Sequence, residues 1–219
     1  MIPRPMHTLA IALTLAAMVG ACSAEGGGSS SAAVPSDGVP SSAAACPTAE
    51  PAALPAGETR TVTIATDLGS MTLKIEADLS PIAAGNFVAL ADCGYYDGVV
   101  FHRTATLEDG TPFVIQGGDP DGTGRGGPGY TITDEPVTAT YGRGVVAMAR
   151  TAQPNSVGSQ FFIVLDDRDR DVLASANTYQ IIGKIASGMD VVDAIYAASN
   201  GEEIPTQPVA MTDVTVTAP

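Results

Sequence analysis

The chain has no tryptophan, two histidines, and ten basic residues against 24 acidic ones. Each scarcity excludes something. His7 lies in an N-terminal stretch that reads as a targeting signal, which leaves His102 as the one histidine for chemistry. A Ser-His-Asp arrangement or a histidine-rich metal site therefore has almost nothing to draw on, and no metal or cofactor is expected. The formal net charge of −14 comes without clustered Lys and Arg, so nucleic acid is not an expected partner. Such acidity is most simply a device for keeping a chain soluble. Long hydrophobic runs are also missing, apart from residues 9–19, which are short for a bilayer span. At 219 residues the chain allows one domain of ordinary size with appendages.

Two motif matches fail on context. Gly122-Thr123-Gly124-Arg125-Gly126-Gly127 satisfies the letters of a dinucleotide fingerprint. Pro128-Gly129 and a β-like run follow it where that fingerprint needs a helix, so it reads as a glycine loop. Asp166-Asp167-Arg168-Asp169-Arg170-Asp171 reads as a solvated loop of alternating charge, without the spacing of a calcium-binding EF-hand.

The N-terminus is informative. Arg4 and His7 precede the apolar run, which ends in Val19-Gly20-Ala21-Cys22. That ending resembles the bacterial lipobox, in which a cysteine after small residues is lipidated and becomes the mature N-terminus. Residues 1–21 are thus expected to be a lipoprotein signal peptide, with Cys22 holding the protein at the extracytoplasmic face of the cell membrane. The other reading is an ordinary signal peptide that happens to contain a cysteine. Residues 22–59 are rich in Ser, Ala, Gly and Pro with no apolar period, the composition of a flexible tether. Cys46 and Cys93 then remain as an even pair in an oxidising compartment, which favours a disulfide over two unrelated thiols.

From residue 60 to 219 the pattern is that of a folded, mainly β domain. Strands are expected at 61–66, 71–76, 99–103, 113–116, 145–149, 160–165, 180–185 and 211–217. Ser80-Pro81 starts one helix that runs to Gly94, and a second covers 189–198. Many short strands with two helices suggest a closed antiparallel barrel capped by helices.

Three stretches carry the functional signal: Phe101-His102-Arg103, Phe113-Val114-Ile115-Gln116-Gly117-Gly118-Asp119 and Gly158-Ser159-Gln160-Phe161-Phe162-Ile163. Together they resemble the hallmark of the cyclophilin family of peptidyl-prolyl isomerases over about residues 60–217. The residue types suit that chemistry on their own terms. An X-Pro amide is protected by a barrier of roughly 18–20 kcal/mol. Lowering it takes an apolar slot for the proline ring and a fixed cation aimed at the prolyl nitrogen, with no nucleophile or metal.

The resemblance implies an eight-stranded barrel with a helix at each end and a catalytic Arg103 next to His102. It implies a pocket walled by Phe113, Val114, Phe162 and Leu173, with Gln116 orienting Arg103 and Gln160 binding the substrate backbone. The segment containing Ala149 and Ala152 would run beside the peptide, and Tyr179 takes a place where the family often has histidine. Phe113 and Phe162 are equally good core aromatics. The chain departs from the family in the longer loop 104–112, the absence of tryptophan near Leu173 and a slightly enlarged stretch 174–178. A monomeric isomerase acting on proline-containing unfolded or extended segments of exported proteins is the expected function. The competing reading is a lipid-anchored peptide-binding or scaffold protein on the same barrel with little activity.

Overall fold

The computed structural model describes residues 45–218. The expected signal peptide, Cys22 and the part of the expected tether up to residue 44 lie outside the described residues.

Period-2 alternation builds the first hairpin. In β1 (Thr59–Thr66) Val62 and Ile64 are fully buried, and in β2 (Gly69–Glu76) so are Met71, Leu73 and Ile75. Threonine, lysine and glutamate take the outward positions between them, as a sheet with one wet face requires. Thr66 closes the turn, donating its hydroxyl to the Gly69 carbonyl (2.9 Å) and accepting from the Leu68 amide (3.1 Å).

Helix α1 (Pro81–Asp92) begins with proline in its first turn, but Ser80 does not cap it with its side chain. The free amides of Ile82 and Ala83 donate instead to the two carboxylate oxygens of Glu135, each at 2.9 Å. An anion from a distant loop thus satisfies the positive end of the helix.

The remaining elements are β3 (Arg103–Thr106), β4 (Pro112–Gly117), β5 (Val145–Met148), β6 (Phe161–Val164), α2 (Arg170–Ala176), β7 (Ile181–Ser187), α3 (Met189–Ala198) and β8 (Asp213–Thr217). The eight strands form one antiparallel sheet in the order β3-β4-β6-β5-β7-β2-β1-β8.

Three expectations need correction. The barrel is not closed by a ladder: β3 and β8 end the order without pairing. The segments preceding them do meet, through Gly98 N to Met211 O (2.7 Å), Met211 N to Val99 O (2.9 Å) and Phe101 N to Val209 O (2.9 Å). Of residues 99–102 only Val100 is bridged, to Asp119 and to Ala210, so the segment is not a strand.

The helices number three among the described residues, because the charged stretch 166–171 folds into a 3₁₀ turn (Asp167–Asp169) followed by α2. The Asp166 carboxylate accepts from Arg168 N (2.9 Å), and Asp169 returns the favour to Asp166 N (3.1 Å). The stretch is helical rather than a loop and contains a capping box with Asp169 fully buried, while Asp167, Arg168, Arg170 and Asp171 remain exposed as expected.

The flexible tether expected through residue 59 also stops short. Residues 45–58 lie on the domain: a disulfide joins Cys46 to Cys93 with the Cα atoms 5.1 Å apart. Leu54 is buried and donates its amide to Pro81 O (2.9 Å), and Glu50 accepts from Thr133 N (2.6 Å). The fit is close enough that a Cβ on Gly85 would overlap the Ala52 carbonyl oxygen. One leucine and one cysteine anchor a segment whose average composition is that of a linker.

Two apolar clusters result. The main core takes the inner sides of all the strands except β3, with α1 and α3. A second cluster lies on the other face of β4, β5 and β6, where Val114, Ala147, Phe162 and Val164 meet Tyr141, Leu173 and Ile181. Strand β6 shows the split best. Its four residues are all buried, with Phe161 and Ile163 in the main core and Phe162 and Val164 in the second.

Candidate active site

Sheet register assembles the site. Arg103 of β3 pairs with Gln116 of β4, Gln116 with Phe162 of β6, and Phe162 with Ala147 of β5. Directly opposed residues face the same side of a sheet. A cation, an amide, an aromatic ring and a small residue therefore stand in one row on the outer face. The register slips between β3 and β4 so that Ala105 opposes Val114 while Thr106 opposes Pro112, leaving Phe113 as the extra residue of a bulge. A bulge re-aims a side chain, and both Phe113 and its neighbour Val114 line the same pocket.

That pocket, about 230 Å³, is lined by Arg103, Phe113, Val114, Gln116, Ala149, Arg150, Phe162, Leu173 and Tyr179. Phe162 and Tyr179 meet edge to face with ring centroids 5.3 Å apart. Tyr179 is held from behind by Tyr141, whose hydroxyl donates to Tyr179 O (2.8 Å) and accepts from Tyr179 N (3.2 Å). Burial raises the Tyr141 phenol to about 12, so it stays protonated and can donate.

Polar groups run along one side of the pocket. Arg103 Nη1 lies 3.4 Å from Gln116 Oε1, Gln116 Nε2 donates to Gln160 Oε1 (2.9 Å), and Gln160 Nε2 donates to Gly126 O (2.9 Å). Beside this chain a groove of about 380 Å³ follows Gly124–Gly127, Ala149–Thr151 and Ser156–Gln160. Four amides of the glycine loop turn inward to one carboxylate. Asp119, fully buried, accepts from the amides of Asp121 (2.8 Å), Thr123 (2.9 Å), Arg125 (3.0 Å) and Gly126 (3.1 Å). Burial alone would raise the Asp119 carboxyl, but the loop amides outweigh it and hold it below the ordinary value. The anion this loop binds is its own aspartate.

Of the residues singled out in the sequence, Arg103, Phe113, Val114, Gln116, Ala149, Phe162, Leu173 and Tyr179 converge on the pocket, and Gln160 borders it. His102 does not enter it. It is buried next door, lining an adjacent pocket of about 280 Å³ together with Arg103, Gln116, Gly122–Gly124 and Ile204. Burial lowers its pKa, with Asp119 opposing, so the ring stays neutral near pH 7. Ala152 is exposed and lines neither the pocket nor the groove, whereas Arg150 lines both. Sequence reasoning missed Tyr141 and Glu203 altogether. Glu203 accepts from Arg103 Nε (2.9 Å) and Nη2 (2.8 Å) across a separation of a hundred residues, a contact no local pattern announces.

The sequence model of the family described as cyclophilin type peptidyl-prolyl cis-trans isomerase/CLD matches residues 61–216. The chain belongs to this family. It is 39% identical over 145 residues to peptidyl-prolyl cis-trans isomerase CYP18-1 of Arabidopsis thaliana, covering 64% of this chain and 84% of that one. Against peptidyl-prolyl cis-trans isomerase-like 1 of Neurospora crassa the figures are 43% over 136 residues, 60% and 77%. Among solved structures, a cyclophilin type peptidyl-prolyl cis-trans isomerase of Cryptosporidium parvum aligns with a TM-score of 0.63 at 30% identity, covering 74% of this chain and 99% of that chain. That protein was also crystallised in the presence of the dipeptide Ala-Pro.

This cyclophilin is a peptidyl-prolyl cis-trans isomerase. The long β3–β4 connection folds on itself through Leu107 N to Thr111 O (2.8 Å), and the end of β3 before it touches α3 through Thr106 Oγ1 and Tyr196 Oη, 2.6 Å apart.

Proposed function

We propose that Arg103 is the catalytic residue and that the cavity between Phe113, Phe162 and Leu173 takes the proline ring. The observation that carries this reading is the cross-strand row placing the guanidinium at the pocket edge beside Gln116. In the planar amide the prolyl nitrogen lone pair is delocalised, and a donor near it gains little. As the C–N bond twists, the lone pair localises and the hydrogen bond strengthens. The guanidinium therefore binds the transition state better than the ground state, while the pocket binds both alike. Gln116 and Gln160 would hold the peptide backbone across the cleft. Arg103→Ala should lower kcat/KM by about 10²–10³-fold, the range for removing one preorganised donor, in a prolyl-peptide isomerisation assay. A folded Arg103→Ala protein with near wild-type turnover would refute the assignment.

The clients are proline-containing unfolded or extended segments of exported proteins, met by a monomeric enzyme anchored at the extracytoplasmic face of a bacterial cell membrane. Its support is the lipobox-like Val19-Gly20-Ala21-Cys22 after an apolar run, joined by residues 22–44 to a domain that carries a disulfide. In this arrangement residues 1–21 are removed and a multiply acylated Cys22 anchors stably, as one acyl chain alone would not. Cys22→Ser should release the protein from membranes and abolish acyl labelling. Unchanged labelling of that variant would rule out anchoring through Cys22.

A further inference from the structure

Arg103 is held on two sides, and unequally. Gln116 stands 3.4 Å from Nη1, long for an N–H···O bond. Glu203 takes the opposite edge, its Oε1 lying 2.9 Å from Nε and 2.8 Å from Nη2. The tighter anchor of the proposed catalytic cation is thus the carboxylate.

The loop after α3 is built to deliver that carboxylate. The chain turns through Asn200 and Gly201, both with positive φ (52° and 82°). Glu202 N then donates to Ser199 O (2.9 Å), and the Glu202 side chain accepts from Thr206 N (2.8 Å). The loop next attaches to β3, the end strand of the sheet, at the residue beside Arg103. Thr104 N donates to Glu203 O (2.9 Å) and Thr104 Oγ1 to Glu202 O (2.7 Å). The backbone that carries Glu203 and the backbone that carries Arg103 are therefore bonded to each other, so the carboxylate and the guanidinium are registered by main-chain contacts. Of the five guanidinium N–H groups, Glu203 occupies one on Nε and one on Nη2. The Nη1 edge, beside Gln116 and the pocket, is left for the substrate.

We infer that Glu203 is a positioning residue for the isomerisation: it fixes the outer edge of the Arg103 guanidinium so that Nη1 is presented to the twisting prolyl amide. This rests on the reading of Arg103 as the catalytic group. A flexible arginine without this contact would spread over several rotamers and meet the transition state only part of the time. The pair is partly exposed, with side-chain accessibilities of 36% for Arg103 and 66% for Glu203. Its effect should be modest and screened by salt.

The test measures kcat/KM on an uncharged proline peptide for the full-length mature protein, Glu203→Ala, Glu203→Gln, Arg103→Ala and the Arg103→Ala/Glu203→Ala double variant. Glu203→Ala should lose about 2- to 5-fold, the range of an exposed ion pair, with peptide affinity unchanged because the ground state does not use the contact. Glu203→Gln, which keeps an acceptor for Nε, should recover part of the loss. In the Arg103→Ala background Glu203→Ala should have no further effect. Raising ionic strength from about 0.05 to 0.5 M should slow the wild type towards Glu203→Ala and leave that variant's rate unchanged. The inference is overturned if Glu203→Ala is as fast as the wild type or faster, or if it costs the same with Arg103 already gone, which would mark a purely structural contact. If Arg103→Ala itself is silent, the underlying reading of Arg103 fails. If Arg103→Ala is slow and Glu203→Ala is not, only the role of Glu203 fails.

Discussion

Two rows of paired residues cross the outer face of the same sheet. In one, Thr72, Thr63 and Thr215 stand side by side on β2, β1 and β8. In the other, Arg103, Gln116, Phe162 and Ala147 cross β3, β4, β6 and β5. The backbone chemistry of the two rows is the same, and both back onto the main core. They differ in what covers them. The threonine row faces water, as a one-sided antiparallel sheet does. The second row is overlain by α2 and by the segments carrying Tyr141 and Tyr179, and a cover that is incomplete at one end leaves a cleft. An isomerase of X-Pro bonds needs an apolar wall that remains reachable, and only a doubly covered stretch of sheet with an open margin supplies one. Function here follows from where the sheet's second face is apolar.

The comparison can be broken by truncating one residue in each row. Phe162→Ala should cost about 3–5 kcal/mol of stability and raise KM strongly, because the ring belongs to both the second cluster and the pocket wall. Thr63→Ala should cost no more than about 1 kcal/mol, the scale of a cross-strand pair, and leave kcat/KM unchanged. Urea unfolding paired with the isomerisation assay reads both. A Thr63→Ala variant that lost activity while folded would mean that the two faces are coupled.

A smaller effect sharpens the same contrast through pH. The cover over the active row depends on α2, which supplies Leu173 and continues directly from the 3₁₀ turn that Asp166 and Asp169 cap. Burial pushes the Asp169 carboxyl up to about 6, above the ordinary carboxyl value of about 4. The folded state holds this proton more tightly than the unfolded chain. Its stabilisation is therefore complete below about pH 4 and is lost as pH rises through about 6. Amide exchange in α2 should be slower at pH 5 than expected from its rate at pH 7, after correction for intrinsic rates. The effect should vanish in Asp169→Asn, whereas β1 should show no such difference. Equal pH dependence in wild type and Asp169→Asn would remove Asp169 as the cause.

Much of the fold was written locally. Residues 59–76 declare their hairpin by strict alternation, and Pro81 and Gly94 mark the limits of α1. Eight of the named residues meet in one pocket, five of them (Arg103, Phe113, Val114, Gln116 and Phe162) because they lie on strands whose register the sheet keeps. The charged stretch 166–171 misled, since alternating charge is common in solvated loops and the burial of Asp169 is a tertiary fact. The segment 45–58 misled for the same reason: its average composition is that of a linker, while two residues, Leu54 and Cys46, tie it down.

The sequence by itself determined most of the elements and supplied the residues of the apolar slot and the cation, because propensity, alternation and turn chemistry act over a few residues. Only the tertiary structure decided which partner holds that cation, that both Phe113 and Val114 reach the pocket, and what caps α1. Glu203 meets Arg103, and Glu135 meets Ile82 and Ala83, across long stretches of chain. Phe113 owes its direction to a one-residue slip between two strands. Such contacts depend on strand register and loop path, and those are set by how the whole sheet packs rather than by any neighbouring residue.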